Sequence, residues 1–245
     1  VMVAHQNIKN LLVSWGKQDD AIHQEQLTNS SIWTNTSFDV SVFEIFSALT
    51  TGASLHIVPQ LIRADEEAYL EWLVDNEIHV AYFPPFFVHA LNRMTDDKVK
   101  RLKLRRLLVG VEPINEPELF RLEKLLPTLN ITNGYGPTET TVFSTSYNQI
   151  SNQSRVTPIG KPVDNTLVYI LDNNGNVNPS DVIGELYIGG LGTARGYLNN
   201  PALTASKYLP DPYSEIPGSR VYKTGDLAHW ENDGKAGFTK LLTYV

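Results

Sequence analysis

Leu107-Leu108-Val109-Gly110-Val111, closed by Glu112-Pro113, is the stretch whose reading decides the fold. A short apolar run ended by a charge and a proline predicts a strand of a largely parallel sheet, covered on both faces. The same rhythm extends outward. Leu55–Val58, His79–Phe83 and Ile131–Thr132 read as further strands, alternating with helical patterns from about residue 31 to 140. Asp65 is placed to cap a helix carrying Tyr69, Trp72 and Leu73 on one face. Asn115, with Glu118 three residues on, is placed to cap another bearing Leu119, Leu122 and Leu126. Both patterns predict helices covering a sheet.

Beyond about residue 150 the texture changes. Leu167–Leu171, Glu185–Ile188 and Val221–Lys223 are short strand candidates separated by turn clusters such as Asp172-Asn173-Asn174-Gly175. Asn200-Pro201 ahead of Ala202–Tyr208 predicts a helix with proline at its first position. The expected fold class is therefore α/β. A largely parallel sheet with covering helices occupies residues 1–149, a smaller β-rich subdomain 150–234, and a divergent tail 235–245.

The 245 residues are enough for one large or two small domains. A net charge of -7 gives no electrostatic reason to expect a nucleic-acid partner. The absence of cysteine excludes disulfides, thiolate metal sites and cysteine nucleophiles; it fits a reducing compartment, with the cytoplasm as the expected location. The richest apolar stretch, Val80 to Val88, is short and broken by Pro84-Pro85, so no membrane span is expected.

Three segments carry candidate chemistry. Asn133-Gly134-Tyr135-Gly136-Pro137-Thr138-Glu139 reads as one turn in which an aromatic plate, flexible backbone, a hydroxyl and a carboxylate stand together. Tyr135 is suited to lie against a base, Thr138 to donate to a phosphate, and Glu139 to offer a hard oxygen to Mg²⁺. Phe38-Asp39-Val40-Ser41 leads into a helix that Ser41 and Glu44 are spaced to cap as a box and that Gly52 ends. Asp39 just ahead of it is either a second cap or the partner of an ammonium group, its charge favoured by the helix dipole. Tyr222-Lys223-Thr224-Gly225-Asp226-Leu227 sets an acid after a glycine turn, which reads equally as a surface turn or as an acceptor for two ribose hydroxyls. The glycines from Gly184 to Gly196 have the wrong spacing for a dinucleotide fingerprint; they read as a strand and a structural glycine-rich loop.

Taken together and in this order, these motifs resemble those of the adenylation domains of nonribosomal peptide synthetases, a branch of the adenylate-forming enzymes. The resemblance runs from Val1 to about Gly234. It includes Val3-Ala4-His5-Gln6-Asn7, which looks like the segment after that family's phosphate loop. It implies a partial N-terminal adenylating domain whose β-rich part is a distorted barrel. The implied ligands are ATP or AMP, Mg²⁺ and an amino acid, and the implied partners are a carrier protein bearing phosphopantetheine and a condensation domain. By motif, the amino-acid pocket falls on Asp39, Val40, Phe43, Tyr82, Leu108, Gly110, Gly134, Val142 and Phe143. Apart from Asp39 that lining is apolar, which favours a branched aliphatic substrate such as valine or isoleucine, with aromatic amino acids still open. The nucleotide side falls on Gly110, Val111, Glu112, Pro113, Asn133, Gly134, Tyr135, Gly136, Thr138 and Asp226. Thr138 and Glu139 carry the catalytic roles and Glu139 the metal. Val111 departs from the family, which has a small residue there.

The family's phosphate loop is expected upstream of Val1, and its mobile C-terminal lid with a catalytic lysine beyond Gly234, since residues from Lys235 on do not resemble the hinge. The expectation is a truncated domain that recognises its ligands and is poor or inactive as a complete catalyst. Two other readings stay open: a fragment of an acyl- or aryl-CoA ligase, against which Asp39 argues, and a non-catalytic binding or interaction module of the same fold.

Overall fold

The structure is a computed structural model, and it describes residues 1–18, 28–110, 112–232 and 236–241. In chain order its helices are α1 (His5–Lys17), α2 (Val40–Leu49), α3 (Glu66–Asp75), α4 (Pro85–Arg93), α5 (Asp96–Val99), α6 (Glu116–Leu125) and α7 (Pro201–Lys207). The first seven strands are β1 (Asn29–Ile32), β2 (Ser54–Ile57), β3 (Val80–Tyr82), β4 (Arg106–Gly110), β5 (Asn130–Tyr135), β6 (Thr145–Tyr147) and β7 (Lys161–Pro162). β8 (Thr166–Leu171), β9 (Gly184–Gly190), β10 (Tyr208–Pro210), β11 (Arg220–Asn232) and β12 (Ala236–Leu241) follow. The chain divides into two compact units, residues 17–133 with 148–157, and residues 1–16 with 134–147 and 158–245.

The first, the α/β unit, carries strands in the order β2-β1-β3-β4-β5. β1 pairs in parallel with β2 and β3, and β3 with β4. All five residues of β4 are buried, as its apolar run predicts. The core gathers Leu70, Leu73, Ile78, Phe83, Phe87, Leu107, Leu119 and Ile131, and Tyr69 packs on Phe87 with ring centroids 4.4 Å apart. Asp65 caps α3 as expected, accepting from Ala68 N at 3.0 Å. The residues 148–157 return to this unit through polar anchors. The fully buried Glu116 accepts from Ser151 N, Ser151 Oγ and, at 2.6 Å, Arg155 Nε.

Several expectations change here. β1 was not legible because three of its four residues are polar, yet it lies between β2 and β3 with Ser30 and Ser31 buried. Pro84-Pro85 does not merely interrupt an apolar stretch; Pro85 opens α4, where a missing N–H costs nothing. Asn115 holds the N-cap position of α6 without a side-chain cap; its amide donates to Glu118 Oε1 at 3.3 Å instead. The Ser41–Glu44 capping box does not form, because α2 begins at Val40 and both residues lie inside it. Ser41 Oγ donates to the Phe38 carbonyl at 2.6 Å, and the Glu44 carboxylate accepts from Trp33 N at 2.9 Å and Thr34 N at 3.1 Å. Glu44 therefore ties the start of α2 to the end of β1.

The second, the β-rich unit, holds an antiparallel sheet in the order β10-β11-β9-β8, with β12 on β11. Ile159, Ile170, Leu186, Ile188 and Ala228 form its core. Among the described residues no strand pairing closes this sheet, so the distorted barrel gives way to an open sheet. β12 takes in part of the divergent tail. Asn200 caps α7 through Leu203 N at 3.1 Å, as the Asn-Pro pair predicts. Asp172 Oδ1 accepts from Asn174 N and Asn176 N, fixing the expected turn ahead of Gly175.

Burial pushes the Glu44 carboxyl up to about 7 from an ordinary 4.5, against the lowering pull of its two N–H partners and Arg63. A carboxyl that binds its proton more tightly in the folded chain adds stability below about pH 4.5 and loses it as the pH rises through about 7. Glu44→Gln is expected to remove that slope, worth on the order of 2–3 kcal/mol between pH 4.5 and 8. Thermal melts of the wild type and the variant across that range check it.

Candidate nucleotide and amino-acid site

In the β-rich unit the site grows from the end of β5. Tyr135 is the last residue of that strand, so Asn133 to Tyr135 continue the ladder, and the turn starts only at Gly136. A Cβ on Gly136 would stand 2.7 Å from the backbone of Phe143 and Ser144, which is why glycine is required there. Pro137 leads into a single 3-10 turn, Thr138–Thr140. Thr141 and Val142 then take left-handed backbone, φ 71° and 64°. Such angles are outliers for β-branched residues and mark a segment whose surroundings dictate its shape. Ser144 N closes the excursion by donating to the Tyr135 carbonyl at 2.8 Å.

The glycine-rich loop after β9 supplies those surroundings. Ala194 N donates to the Glu139 carbonyl at 2.8 Å and Thr141 Oγ1 to the Gly192 carbonyl at 2.7 Å. A Cβ on Gly192 would come within 2.8 Å of the Thr140 carbonyl oxygen. Behind the loop, Asn7 Nδ2 at the start of α1 donates to the Leu191 carbonyl at 2.6 Å, and Met2 N to the Gly196 carbonyl at 2.8 Å. Tyr197 OH donates to Glu139 Oε1 at 2.7 Å and lies 3.3 Å from Tyr222 OH.

β11 breaks its register against β9 between Lys223 and Leu227. Gly225, at φ 84°, forms the bulge, Thr224 Oγ1 bonds the Leu186 carbonyl and accepts from Asp226 N, and Asp226 is turned out of the ladder. The supposed surface turn is thus a bulge in a long strand. Tyr135 OH donates to Asp226 Oδ2 at 2.5 Å. Burial, and then the Asp226 charge, hold the Tyr135 phenol protonated far above its ordinary pKa, so it acts as a donor only. Burial likewise raises Tyr222 and Tyr197. Tyr135 and Asp226 are thus joined by one hydrogen bond, while Glu139 is held by the glycine-rich loop through Ala194 and Tyr197; Thr138 lies beside Glu139 in the 3-10 turn of the same unit. Gly134, Val142 and Phe143 belong to the same unit, where Phe143 packs edge-on to Trp15 at 6.2 Å.

In the α/β unit, Asp39 occupies the N-cap position of α2, half-buried, in helical backbone, and its carboxylate makes no capping bond. The second-cap reading of Asp39 therefore loses its hydrogen bond. Val40, Phe43, Tyr82 and Leu108 are buried, and Tyr82 faces Leu108 across the β3–β4 ladder. Burial raises the Tyr82 phenol, followed by the charges of Glu44, Glu112 and Asp39, so these groups act on one locality. Gly110 ends β4 at φ 144°, a conformation that excludes a side chain. Glu112 and Pro113 are exposed beyond it, Asn133 is buried in β5, and Val111 lies outside the described residues.

The carboxylate assigned to a divalent cation by motif, Glu139, is half-buried, while the equally half-buried Asp226 accepts from the Tyr135 phenol. Among the described residues no three His, Cys, Asp or Glu side chains converge as a metal cage. A lone carboxylate suits Mg²⁺, which takes its other ligands from phosphates and water. The residues present fit that ion. Sequence reasoning missed Asn7, Glu44, Tyr197 and Tyr222 as parts of the site's framework. Tyr222 stood inside a segment already singled out and Tyr197 directly after the glycine-rich one, and only tertiary contact reveals their partners. No described helix is long and apolar enough to cross a membrane.

The sequence profile of AMP-binding enzymes matches residues 1–198. The chain is 39% identical over 236 residues to tyrocidine synthase 3 of Brevibacillus parabrevis, covering 96% of this chain and 4% of that protein. It is 37% identical to gramicidin S synthase 2 of Brevibacillus brevis, covering 96% and 5%, and 36% identical to tyrocidine synthase 1 of Brevibacillus parabrevis, covering 97% and 21%. The chain thus spans a small part of these curated relatives. Among solved structures, that of IdnL1 matches with TM-score 0.85 and 25% identity, over 97% of this chain and 49% of the other.

Gly136→Ala is expected to cost about 2–3 kcal/mol, since the methyl group meets backbone that cannot yield as a side-chain tip would. Chemical denaturation of the variant against the wild type measures it.

Proposed function

We propose, on the premise that this chain belongs to the AMP-binding enzyme family, that it is the recognition part of an amino-acid-activating adenylation domain. The observation that carries the reading is Asp39, a half-buried carboxylate at the start of α2 that makes no capping bond. A helix N-terminus favours its charge, and an α-ammonium group would supply the partner. Acyl- or aryl-CoA ligase chemistry, with no amine on the acid, leaves that carboxylate without one.

In the reaction proposed, a carboxylate oxygen of the amino acid attacks the α-phosphorus of ATP. The bond to the bridging oxygen breaks, and pyrophosphate leaves with its electron pair. No side-chain nucleophile is needed, so the residues act by positioning and by placing charge. Tyr135 packs on the adenine, Asp226 accepts from the ribose hydroxyls in exchange for the Tyr135 phenol, and Thr138 donates to the α-phosphate. By motif, the nucleotide side is assigned to Gly110, Glu112, Pro113 and Asn133 of the α/β unit and to Gly134 and Gly136 of the β-rich unit. Glu139 holds Mg²⁺, which when bound neutralises the charge that develops on the phosphates. The phosphopantetheine thiol of a carrier protein, the kind of partner a multidomain synthetase supplies, then loses its proton to solvent and attacks the acyl carbon; the C–O bond to the phosphate breaks and AMP leaves with its electron pair.

The residues assigned to the substrate side chain are apolar in each unit: Val40, Phe43, Tyr82 and Leu108 in the α/β unit, Val142 and Phe143 in the β-rich unit. An apolar lining discriminates by about 1–3 kcal/mol per methylene and gives a charged side chain no partner, which supports valine or isoleucine. Calorimetric titration with a panel of amino acids tests this, and tighter binding of lysine or aspartate than of valine would sink it. Asp39→Asn is expected to weaken valine binding about 10- to 100-fold while ATP binding stays within about twofold. Equal valine affinity in the variant would favour the non-amino-acid reading.

A further inference from the structure

We propose that Tyr197 is a positioning residue for Glu139, holding that carboxylate where the magnesium–nucleotide complex meets it. The inference rests on reading Glu139 as the magnesium ligand. The phenol donates to Glu139 Oε1 at 2.7 Å from a ring that is itself braced on several sides. Tyr197 stands edge-on to Tyr208, centroids 5.8 Å apart, and Tyr208 packs on Tyr222 at 5.2 Å. Its backbone N donates to Thr204 Oγ1 at 2.9 Å, and that hydroxyl donates to the Asn200 carbonyl at 2.8 Å. Gly196 fixes the approach: at φ 136°, a Cβ there would lie 2.4 Å from the Thr204 side chain.

The same loop grips Glu139 twice. Ala194 N takes its backbone carbonyl at 2.8 Å, and three residues later Tyr197 takes its carboxylate. Glu139 is only half-buried, so water is at hand to solvate it and the phenol is not needed to offset desolvation. What the bond does supply is order. A glutamate with free torsions must be immobilised when a cation binds, whereas one already held is spared that cost. No proton is transferred in this role; the phenol remains a donor throughout.

The test is equilibrium binding of ATP, followed calorimetrically across a magnesium titration, for the wild type and Tyr197→Phe. Binding of AMP without metal serves as the control, and melting curves confirm that each protein is folded. The variant is expected to need about two- to tenfold more magnesium for half-maximal ATP binding, with AMP binding within about twofold. In a Glu139→Gln background, Tyr197→Phe should have no further effect. An unchanged magnesium midpoint against a magnesium-dependent wild type overturns the inference alone. So does a parallel loss of AMP binding, which would make Tyr197 a structural prop of the whole site. Wild-type ATP binding that ignores magnesium overturns the metal reading of Glu139, and this inference with it.

Discussion

The docking of the glycine-rich loop onto the Thr138–Thr141 turn is the contact on which the rest of the β-rich unit's site depends. One bond runs backbone to backbone, from Ala194 N to the Glu139 carbonyl; the Thr141 hydroxyl adds the Gly192 carbonyl and the Tyr197 phenol the Glu139 carboxylate, and all need the two segments to lie close together. Gly192 makes that approach possible, and Asn7 holds the loop from its far side. The Glu139 carboxylate takes its direction from this packing, through the Tyr197 phenol, because a single 3-10 turn has too few internal bonds to fix itself.

The second half of the arrangement uses a different device to the same end. A bulge in β11 lifts Asp226 out of a long strand, and the Thr224 hydroxyl seals the distorted stretch by bonding both the Leu186 carbonyl and Asp226 N. Tyr135, at the end of β5, then bonds the lifted carboxylate. The end of one strand and a bulge within another carry the polar groups between them. The ladders that lead into both places keep the groups in register, which loops alone would not.

Much of the fold could be read from the residues. β4 and its neighbours announce themselves as apolar runs, and the caps at Asp65 and Asn200 form the bonds their side chains predict. Elements governed by tertiary contact could not be read. β1 is polar by composition and a strand by virtue of its parallel neighbours. Glu44 has the spacing of a capping partner, but stronger donors at Trp33 and Thr34 claim it. For the site, the motif residues were legible as types, while Tyr197 and Asn7 were not: each partner lies far away in sequence, 58 residues for the Tyr197–Glu139 bond and 184 for Asn7–Leu191. Local patterning contains no trace of such separations.

Thr141 and Val142 bend the chain through left-handed angles that glycine or asparagine would adopt at less cost. If Val142 lines the amino-acid pocket as proposed, exchanging it would therefore alter two things at once, the volume offered to a ligand and the energy stored in the main chain. A glycine there would relax the backbone as it widened the space, and a bulkier β-branched residue would tighten both. Apparent gains in selectivity at this position would need to be separated from gains in rigidity before either was credited to shape.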